Sequence, residues 1–213
     1  MYKRWGKRLI DFLLVSVGVI ILSGVFLILA FLIKLDSKGP VLFKQKRVGK
    51  NKEYFNIYKF RTMSVNTPQD MPTHLLDHPD QFITKMGSFL RKSSLDELPQ
   101  LFNILKGEMS LIGPRPALWN QVDLIQERDR YGANDVVPGV TGWAQINGRD
   151  ELSIPEKARL DGEYVKKISF RFDTQCFFKT FTSILKKEGV VEGSKTECKE
   201  TILLSSQTKE LSE

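Results

Sequence analysis

Two adjacent carboxylates, Asp96 and Glu97, stand where a helix is predicted to begin, and Arg115, which lies between two prolines, follows within twenty residues. An ionised carboxylate can attack phosphorus or hold a magnesium ion, and arginine presents a planar fork to phosphate oxygens. A helix N-terminus adds partial positive charge that keeps nearby carboxylates ionised and attracts anions. These residue types at this spacing favour chemistry on phosphate.

The carboxylate pair also has a purely structural explanation. Ser94 and Glu97 match the capping box, in which the two side chains satisfy free backbone N–H groups at the start of a helix. Pro99 is tolerated in the first turn, where its missing N–H is not needed, so a helix beginning near Asp96 is predicted. Taken alone, this local pattern favours a structural cap. The motifs along the rest of the chain reverse that preference.

The elements that must position these residues belong to a chain of 213 residues, long enough for one core or for a small domain plus an appendage. Lys and Arg number 32 against 25 Asp and Glu, which gives a formal net charge of +7. This excess favours an anionic partner, such as nucleic acid, anionic lipid or a phosphorylated ligand. Cys176 and Cys198 have no paired spacing, which is typical of structural cysteines in a reducing compartment.

Residues 9–33 are almost wholly apolar. As one helix they would run about 37 Å, enough to cross a bilayer with tilt. The stretch is too long for the apolar region of a signal peptide, and a buried core helix of this length is unusual. We therefore predict that residues 1–36 are inserted in a membrane. Asp11, three residues after Arg8, is expected to pair with it at the interface.

The topology of this segment is open from the residues alone, because both flanks are basic. The basic residues are Lys3, Arg4, Lys7 and Arg8 before it, and Lys34, Lys38, Lys44, Lys46 and Arg47 after it. The positive-inside rule asks for one basic flank. If both flanks stay in the cytosol, the segment is re-entrant, with a bend at Ser23 and Gly24. A simple span is the alternative.

The rest of the chain is predicted to form a small domain, residues 37–187, that is large enough to hold a catalytic site, followed by a polar, flexible tail at residues 188–213. The predicted elements are a β-prone stretch at 41–43, a strand at 53–63, and helices at 80–92, 97–106, 119–130, 154–167 and 172–187. Residues 138–149 are predicted to form a hairpin or a ligand loop. The last helix suits either the core or a membrane surface.

Alternation along the predicted strand places Lys59 and Arg61 on one face. Side by side, the two cations would suit a diphosphate. A basic strand facing anionic lipid explains the pattern equally well.

Several motifs together resemble the small bacterial sugar transferases, the monotopic, membrane-bound polyprenyl-phosphate glycosyl-1-phosphate transferases. The resemblance covers residues 2–187, and the motifs are specific in combination. They are Lys7-Arg8-x-x-Asp11, the stretch 39–49 (GPVLFKQKRVG), the stretch 58–63 (YKFRTM), Arg91-x-x-Ser94 followed by 95–101 (LDELPQL), Gly113-Pro114-Arg115-Pro116, and 138–149 (PGVTGWAQINGR).

The resemblance implies transfer of a sugar-1-phosphate from a UDP-sugar to undecaprenyl phosphate, with release of UMP, as the first membrane step of a surface glycan such as an exopolysaccharide or a capsule. It makes Asp96 the nucleophile that forms a covalent phosphosugar intermediate, and Glu97 a ligand of Mg²⁺ that supports it. These roles agree with the chemistry, because a carboxylate nucleophile splits one transfer between two anions into two steps.

The resemblance also implies roles for the basic residues. Arg115 and Arg149 are candidates for gripping the nucleotide or its phosphates, and Lys59, Arg61 and Arg91 for positioning the phosphate of the lipid acceptor. The implied partners are a UDP-sugar, undecaprenyl phosphate and membrane lipids, without nucleic acid, and a homodimer is possible. The implied location is the bacterial plasma membrane, with the catalytic domain on the cytoplasmic face.

The expected fold class is α+β and mainly helical. A membrane-embedded, re-entrant N-terminal helix joins a small cytosolic catalytic domain with amphipathic interface helices and a short β element. The chain departs from the family pattern at Gly24, where the re-entrant segment usually carries a proline after the serine. Proline forces a break in a helix, whereas glycine only permits one.

Two non-catalytic hypotheses compete with the enzyme. One is a membrane-tethered module that binds nucleic acid or lipid, and the other is a scaffold for glycan-assembly enzymes. Neither explains the carboxylate pair or the proline-flanked Arg115, and both predict that Asp96→Asn leaves function intact.

Overall fold

The computed structural model describes residues 2–67, 81–148 and 151–186. Its helices are α1 (Lys7–Asp36), α2 (Lys85–Lys92), α3 (Gln100–Lys106), α4 (Val122–Asp129), α5 (Trp143–Ile146), α6 (Ile154–Lys167) and α7 (Phe170–Lys186). Its strands are β1 (Leu42–Val48), β2 (Tyr54–Phe60), β3 (Ser110–Ile112) and β4 (Gly139–Thr141). Helices predominate and the β elements are short, which confirms the predicted α+β, mainly helical class.

Helix α1 contains thirty residues and would be about 45 Å long if straight. It is long and apolar enough to span or anchor in a membrane. Large side chains such as Ile21 and Leu27 are almost three-quarters exposed on it, which suits a lipid surrounding better than water. The backbone stays helical through Ser23 and Gly24, where a bend was predicted, so α1 continues without interruption at this dipeptide.

Both halves of α1 pack against the same domain. Near its beginning, Val15 lies in a cluster with Ile57, Ile104 and Met109. Near its end, a second cluster of buried side chains joins α1 to β2 and α2; its members are Leu29, Ile33, Phe60 and Leu90. The helix therefore lies along the domain and does not project from it.

Polar contacts fix the beginning of α1 as well. The hydroxyl of Ser110 donates to Asp11 at 2.6 Å. The Arg8 guanidinium donates to the carbonyl oxygens of Ile104 and Leu105 at the end of α3, where a cation offsets the negative end of the helix dipole. The predicted pair between Arg8 and Asp11 is therefore wrong, because each side chain has a different partner.

Strands β1 and β2 form an antiparallel pair in which Phe43 lies opposite Lys59 and Arg47 opposite Phe55. Side chains alternate between the two faces of such a ribbon. Gln45 and Arg47 therefore share the face of Lys59, and Lys44 and Lys46 point to the other face.

Strands β3 and β4 pair in parallel, with Ser110 opposite Gly139 and Ile112 opposite Thr141. Of the two alternatives predicted at 138–149, a hairpin or a ligand loop, the hairpin is wrong, because the strand there pairs with a distant segment and is followed by α5. The backbones at Gly139 and Gly113 approach so closely that a Cβ on Gly139 would lie 2.1 Å from the backbone nitrogen of Gly113. Only glycine fits this contact.

Most helix boundaries move by a few residues from those predicted. Helix α6 has the predicted limits, and α7 begins two residues early. The helix predicted at 97–106 begins at Gln100 and is preceded by a separate 3₁₀ turn, Leu95–Glu97. The helix predicted at 80–92 begins at Lys85. Thr84 caps it, because its side chain accepts a hydrogen bond from the Gly87 N–H. Arg149, Cys198 and the tail at 188–213 lie outside the described residues.

Candidate active site

Asp96 and Glu97 lie in the 3₁₀ turn between α2 and α3, and Ser94 sets the direction of that turn. Ser94 has a left-handed backbone with a φ of 56°, and its side chain makes no capping hydrogen bond. The structural-cap interpretation of Ser94 and Glu97 is therefore wrong. The turn instead presents both carboxylates ahead of α3.

Glu97 is the centre of a cluster of charges from three elements. Its Oε1 atom accepts a hydrogen bond from Lys59 Nζ on β2 and another from Arg115 Nη2 in the loop after β3, each at 2.7 Å. The Glu97 and Lys59 side chains are each 17% exposed, and Arg115 is 33% exposed. The structure thus brings together three residues that the sequence singled out, across 56 positions from Lys59 to Arg115.

The cations determine the charge state of Glu97. Burial alone would raise the pKa of the Glu97 carboxyl, but the charges of Arg115 and Lys59 outweigh it and hold the pKa well below its usual range. Burial lowers the pKa of the Lys59 ammonium, and the neighbouring Glu97 carboxylate acts against that change. Glu97 is therefore ionised at neutral pH and keeps the two cations next to Asp96.

Asp96 differs from Glu97 in its electrostatic surroundings. Burial raises the pKa of the Asp96 carboxyl, the charge of Lys59 lowers it, and the charge of Glu97 raises it again. The net result is a pKa above the ordinary aspartate value. A partly desolvated carboxylate is a better nucleophile than a hydrated one, because fewer water molecules must leave before it attacks.

Arg91 lies within electrostatic reach of Asp96, because its charge lowers the pKa of that carboxyl. Its Nε atom donates to Thr62 Oγ1 at 3.0 Å, which fixes the guanidinium between α2 and the end of β2. The structure therefore places Arg91 with the candidate site, as expected for a residue that positions a phosphate.

Arg61 has a different environment from the one expected. It lies just after the end of β2 and is only 6% exposed. Its guanidinium donates to the carbonyl oxygens of Lys38 and Ser37, each at 2.7 Å. These bonds hold the turn that follows α1, so the structure does not bring Arg61 into the cluster around Glu97.

Arg47 is a site residue that was not among the predicted site residues. It donates to the carbonyl oxygen of Pro116 at 3.0 Å and to Gln45 Oε1 at 2.6 Å. Burial, together with the nearby charge of Arg115, lowers the pKa of Arg47 to about 9. Its hydrogen bond to the carbonyl oxygen of Pro116 supports the loop that carries Arg115. The sequence alone gives no signal for this role, because the face that Arg47 shares with Lys59 depends on the register between β1 and β2.

The two carboxylates suit a magnesium ion that is shared with substrate phosphates better than a metal ion that is coordinated only by protein side chains. No group of three or more His, Cys, Asp or Glu side chains with metal-binding geometry occurs among the described residues. Mg²⁺ is commonly bound by one or two carboxylates together with substrate phosphates and water. Both cations on Glu97 contact Oε1, so Glu97 Oε2 and the Asp96 carboxylate are the oxygens that suit such an ion.

A partly buried pair of carboxylates among basic side chains suits the binding and chemistry of phosphate groups. Comparison with known proteins gives the family. The family model for bacterial sugar transferases matches residues 2–187, and the chain belongs to that family.

Curated relatives of both similar and greater length match the chain. It is 44% identical over 190 residues to the "uncharacterized sugar transferase EpsL" of Bacillus subtilis strain 168, with 86% of this chain and 89% of that protein covered. It is 40% identical over 181 residues to the UDP-glucose:undecaprenyl-phosphate glucose-1-phosphate transferase of Escherichia coli K12, with 82% and 39% covered.

A third relative is the UDP-N-acetylgalactosamine-undecaprenyl-phosphate N-acetylgalactosaminephosphotransferase of Aeromonas hydrophila. It is 42% identical over 184 residues, with 84% of this chain and 43% of that protein covered. The chain thus spans about two fifths of the length of the longer relatives that it matches.

Proposed function

We propose that the chain transfers a sugar-1-phosphate from a UDP-sugar to undecaprenyl phosphate and releases UMP. The observation that carries the proposal is the contact of Glu97 with Lys59 and Arg115, next to Asp96, in a partly buried site. The Escherichia coli and Aeromonas relatives have names for this reaction with two different sugars. Their similarity supports the class of reaction and leaves the sugar open.

Asp96 is the proposed nucleophile. One of its carboxylate oxygens attacks the phosphorus that bears the sugar and forms an O–P bond. The bond from that phosphorus to the bridging oxygen breaks, and UMP leaves with the electron pair. A phosphate oxygen of undecaprenyl phosphate then attacks the same phosphorus and displaces Asp96. The products are polyprenyl-diphosphate-sugar and the regenerated carboxylate.

The cations have separate proposed roles in these steps. Arg115, the most exposed of the three residues in the Glu97 cluster, can turn one edge of its guanidinium to the donor diphosphate while another edge stays on Glu97. Lys59 sits deeper and offsets the charge that builds up at the phosphorus. Arg91 is the proposed contact of the acceptor phosphate, because it approaches Asp96 from α2. Arg149 stays a candidate for the nucleotide phosphates.

Asp96 and Glu97 would hold Mg²⁺ through the carboxylate oxygens that do not contact Lys59 and Arg115. The ion supplies positive charge that offsets the repulsion between the anionic substrates and the carboxylates. The two cations hold Glu97 ionised without it, so the metal-binding oxygen is preformed.

The proposed location is the cytoplasmic face of the bacterial plasma membrane. Helix α1 is apolar enough to anchor the chain, and its close packing on the domain keeps the site near the bilayer, where undecaprenyl phosphate is found. Nucleotide sugars are water-soluble, so the donor enters from the cytosol. The product would begin the assembly of a surface glycan such as an exopolysaccharide or a capsule.

The direct test is UMP release from UDP-glucose, UDP-galactose, UDP-N-acetylglucosamine and UDP-N-acetylgalactosamine, with undecaprenyl phosphate and Mg²⁺. We expect release with at least one donor. Without acceptor, that donor should leave a sugar-phosphate adduct on the peptide that contains Asp96, located by mass spectrometry. Asp96→Asn should abolish both results. Asp129→Asn, which removes an exposed contact with Lys52, is the matched control and should keep both. An adduct elsewhere, or turnover by Asp96→Asn at the wild-type rate, would remove Asp96 from this role.

A further inference from the structure

Gln145 on α5 has a buried side-chain amide that lacks hydrogen-bond partners among the described residues. Its Nε2 and Oε1 atoms make no hydrogen bond to any residue that the structure describes. Leaving a buried polar group unpaired costs about 1–3 kcal/mol. Because native proteins rarely accept this cost, such a group calls for a specific reason, and pairing with a ligand is one.

The amide lies at the edge of the sheet where ligands are expected. Strands β3 and β4 are parallel; β3 leads into the loop that carries Arg115, and β4 leads through Gly142 into α5. A Cβ on Gly142 would be 2.1 Å from the carbonyl oxygen of Gly113 and 3.0 Å from Gln145 Oε1. The Gln145 amide is therefore beside the Gly113 backbone, two residues before Arg115. Parallel strands bind ligands beyond their carboxyl ends.

Gln100 is the other glutamine with an unpaired buried amide among the described residues, but it is enclosed. It is only 1% exposed, at the start of α3, so a ligand cannot reach it without opening the core. Gln145 as a whole residue is partly exposed, although its two amide atoms are buried. Its place as third residue of α5 would allow a capping bond to the Gly142 N–H, yet Oε1 makes no such bond.

We propose that Gln145 pairs with the base of the nucleotide donor and helps to determine which nucleotide is accepted. The inference rests on the proposed function and names a contact within that site. An amide offers one donor and one acceptor side by side. Nε2 would donate to a carbonyl oxygen of uracil, and Oε1 would accept from its N3–H. Arg115, on the adjacent loop, would then hold the phosphates of the same nucleotide.

The test uses UMP and N3-methyl-UMP as probes, with binding to the full chain in detergent measured by calorimetry. The methyl group removes the donor that Oε1 should accept from. For wild type we expect N3-methyl-UMP to bind about tenfold more weakly than UMP, since an unpaired buried group costs about 1.4 kcal/mol or more. Gln145→Met keeps the side-chain volume without the amide. It should weaken UMP binding and bring the ratio of the two affinities close to one.

Gln121→Ala is the control for a glutamine with a structural role, because Gln121 Oε1 accepts from the Leu118 N–H. It should keep the wild-type ratio. Gln145→Glu retains the acceptor but not the donor, and should weaken UMP binding while keeping part of the discrimination. If Gln145→Met or Gln145→Glu binds both probes as wild type does, the inference is wrong. Wild-type chain that binds no UMP and releases none would overturn the proposed function as well.

Discussion

Arg115 Nη2 donates to Glu97 Oε1 at 2.7 Å, so the loop after β3 and the turn before α3 meet through one charged hydrogen bond. We expect Arg115→Lys to lower kcat/KM by about ten- to a hundredfold, the range for loss of a hydrogen bond to a charged group. Lysine keeps the charge but cannot contact Glu97 and a phosphate with two edges of one planar group. UMP-release kinetics measure this change.

The matched control is Arg130→Lys, because Arg130 is an exposed arginine that pairs with Glu127 on the surface. Its kcat/KM should equal that of wild type. If Arg115→Lys also equals wild type, the reaction needs only the positive charge at position 115 and not the planar guanidinium.

The raised pKa of Asp96 predicts an acid limb in the pH dependence of adduct formation. A carboxylate attacks only when ionised, and burial raises the pKa of Asp96 above the ordinary value of 3.8. Burial favours the protonated form of Asp96 in the metal-free site, whereas Mg²⁺ on the same carboxylates would favour the ionised form. The acid limb should therefore move to lower pH as the Mg²⁺ concentration rises. Glu97 does not explain the limb, because its pKa is lowered and it stays ionised there. The rate of adduct formation across pH 4 to 8 measures it.

Glu97→Gln tests the assignment of that limb. The charge of Glu97 raises the pKa of Asp96, so removing the charge should move the acid limb of the residual activity to lower pH. A limb that stays in place would assign it to another group. Circular dichroism over the same pH range separates titration from unfolding.

Activity should require a divalent cation, because two anionic substrates must approach two carboxylates. EDTA should abolish UMP release, and Mg²⁺ should restore it. Ca²⁺ should restore less, since it prefers more oxygen ligands and a looser geometry. If turnover in EDTA is full, no metal ion is needed, and Lys59, Arg91 and Arg115 alone offset the negative charges of the substrates.

Two copies of the Ser-x-x-Glu pattern show most clearly how much the sequence could predict. Ser153 and Glu156 form a capping box at the start of α6, whereas Ser94 and Glu97 share the spacing and form none. The difference is tertiary, because Glu97 has Lys59 and Arg115 as partners. Residue types alone indicated the charged site, but only the packing of distant segments could decide between cap and site.

Arg47 and Arg61 show the same limit of sequence-based prediction. Arg61 was predicted to be a site residue and is not in the cluster, whereas Arg47 is near the cluster and was not predicted. Period-two alternation placed Arg61 beside Lys59, but β2 ends at Phe60 and the chain turns Arg61 toward Ser37. Arg47 lies on the face of Lys59 only because of the register between β1 and β2. Register depends on pairing between strands, and a single strand's sequence does not contain it.

Asp173 joins the N-terminus to the core, and its loss should destabilise the fold. Its carboxylate accepts hydrogen bonds from Tyr2, Lys7 and Tyr164, at 2.6, 2.6 and 2.8 Å. Asp173→Asn removes the charge that balances Lys7 and keeps the shape. Breaking a buried ion pair costs about 3–5 kcal/mol, so we expect a clearly lower thermal midpoint in detergent. Glu163→Gln, which removes a more exposed pair with Lys167, should change unfolding by under about 1 kcal/mol.

The last prediction is that both ends of α1 lie on the cytoplasmic side. A simple span would carry one end across the bilayer, away from the domain. That would break the contacts of Lys7 with Asp173 and of Asp11 with Ser110 at the beginning of α1, or the packing of Ile33 at its end. We therefore expect α1 to enter the membrane from one face and stay attached to the domain, whether or not it bends at Ser23 and Gly24.

Single cysteines at positions 3 and 38, with Cys176 and Cys198 replaced, can be probed in intact cells with a membrane-impermeant thiol reagent. Both should be protected until the membrane is opened, and both should then react, because Lys3 and Lys38 are exposed. Labelling of position 3 alone in intact cells would mean a span with the N-terminus outside. Replacing Ser23 and Gly24 by leucine should leave both ends protected, because the contacts with the domain, rather than a bend at this dipeptide, hold the helix in place. If that variant exposes position 3, the dipeptide determines the topology and the contacts at Lys7 and Asp11 are too weak to do so.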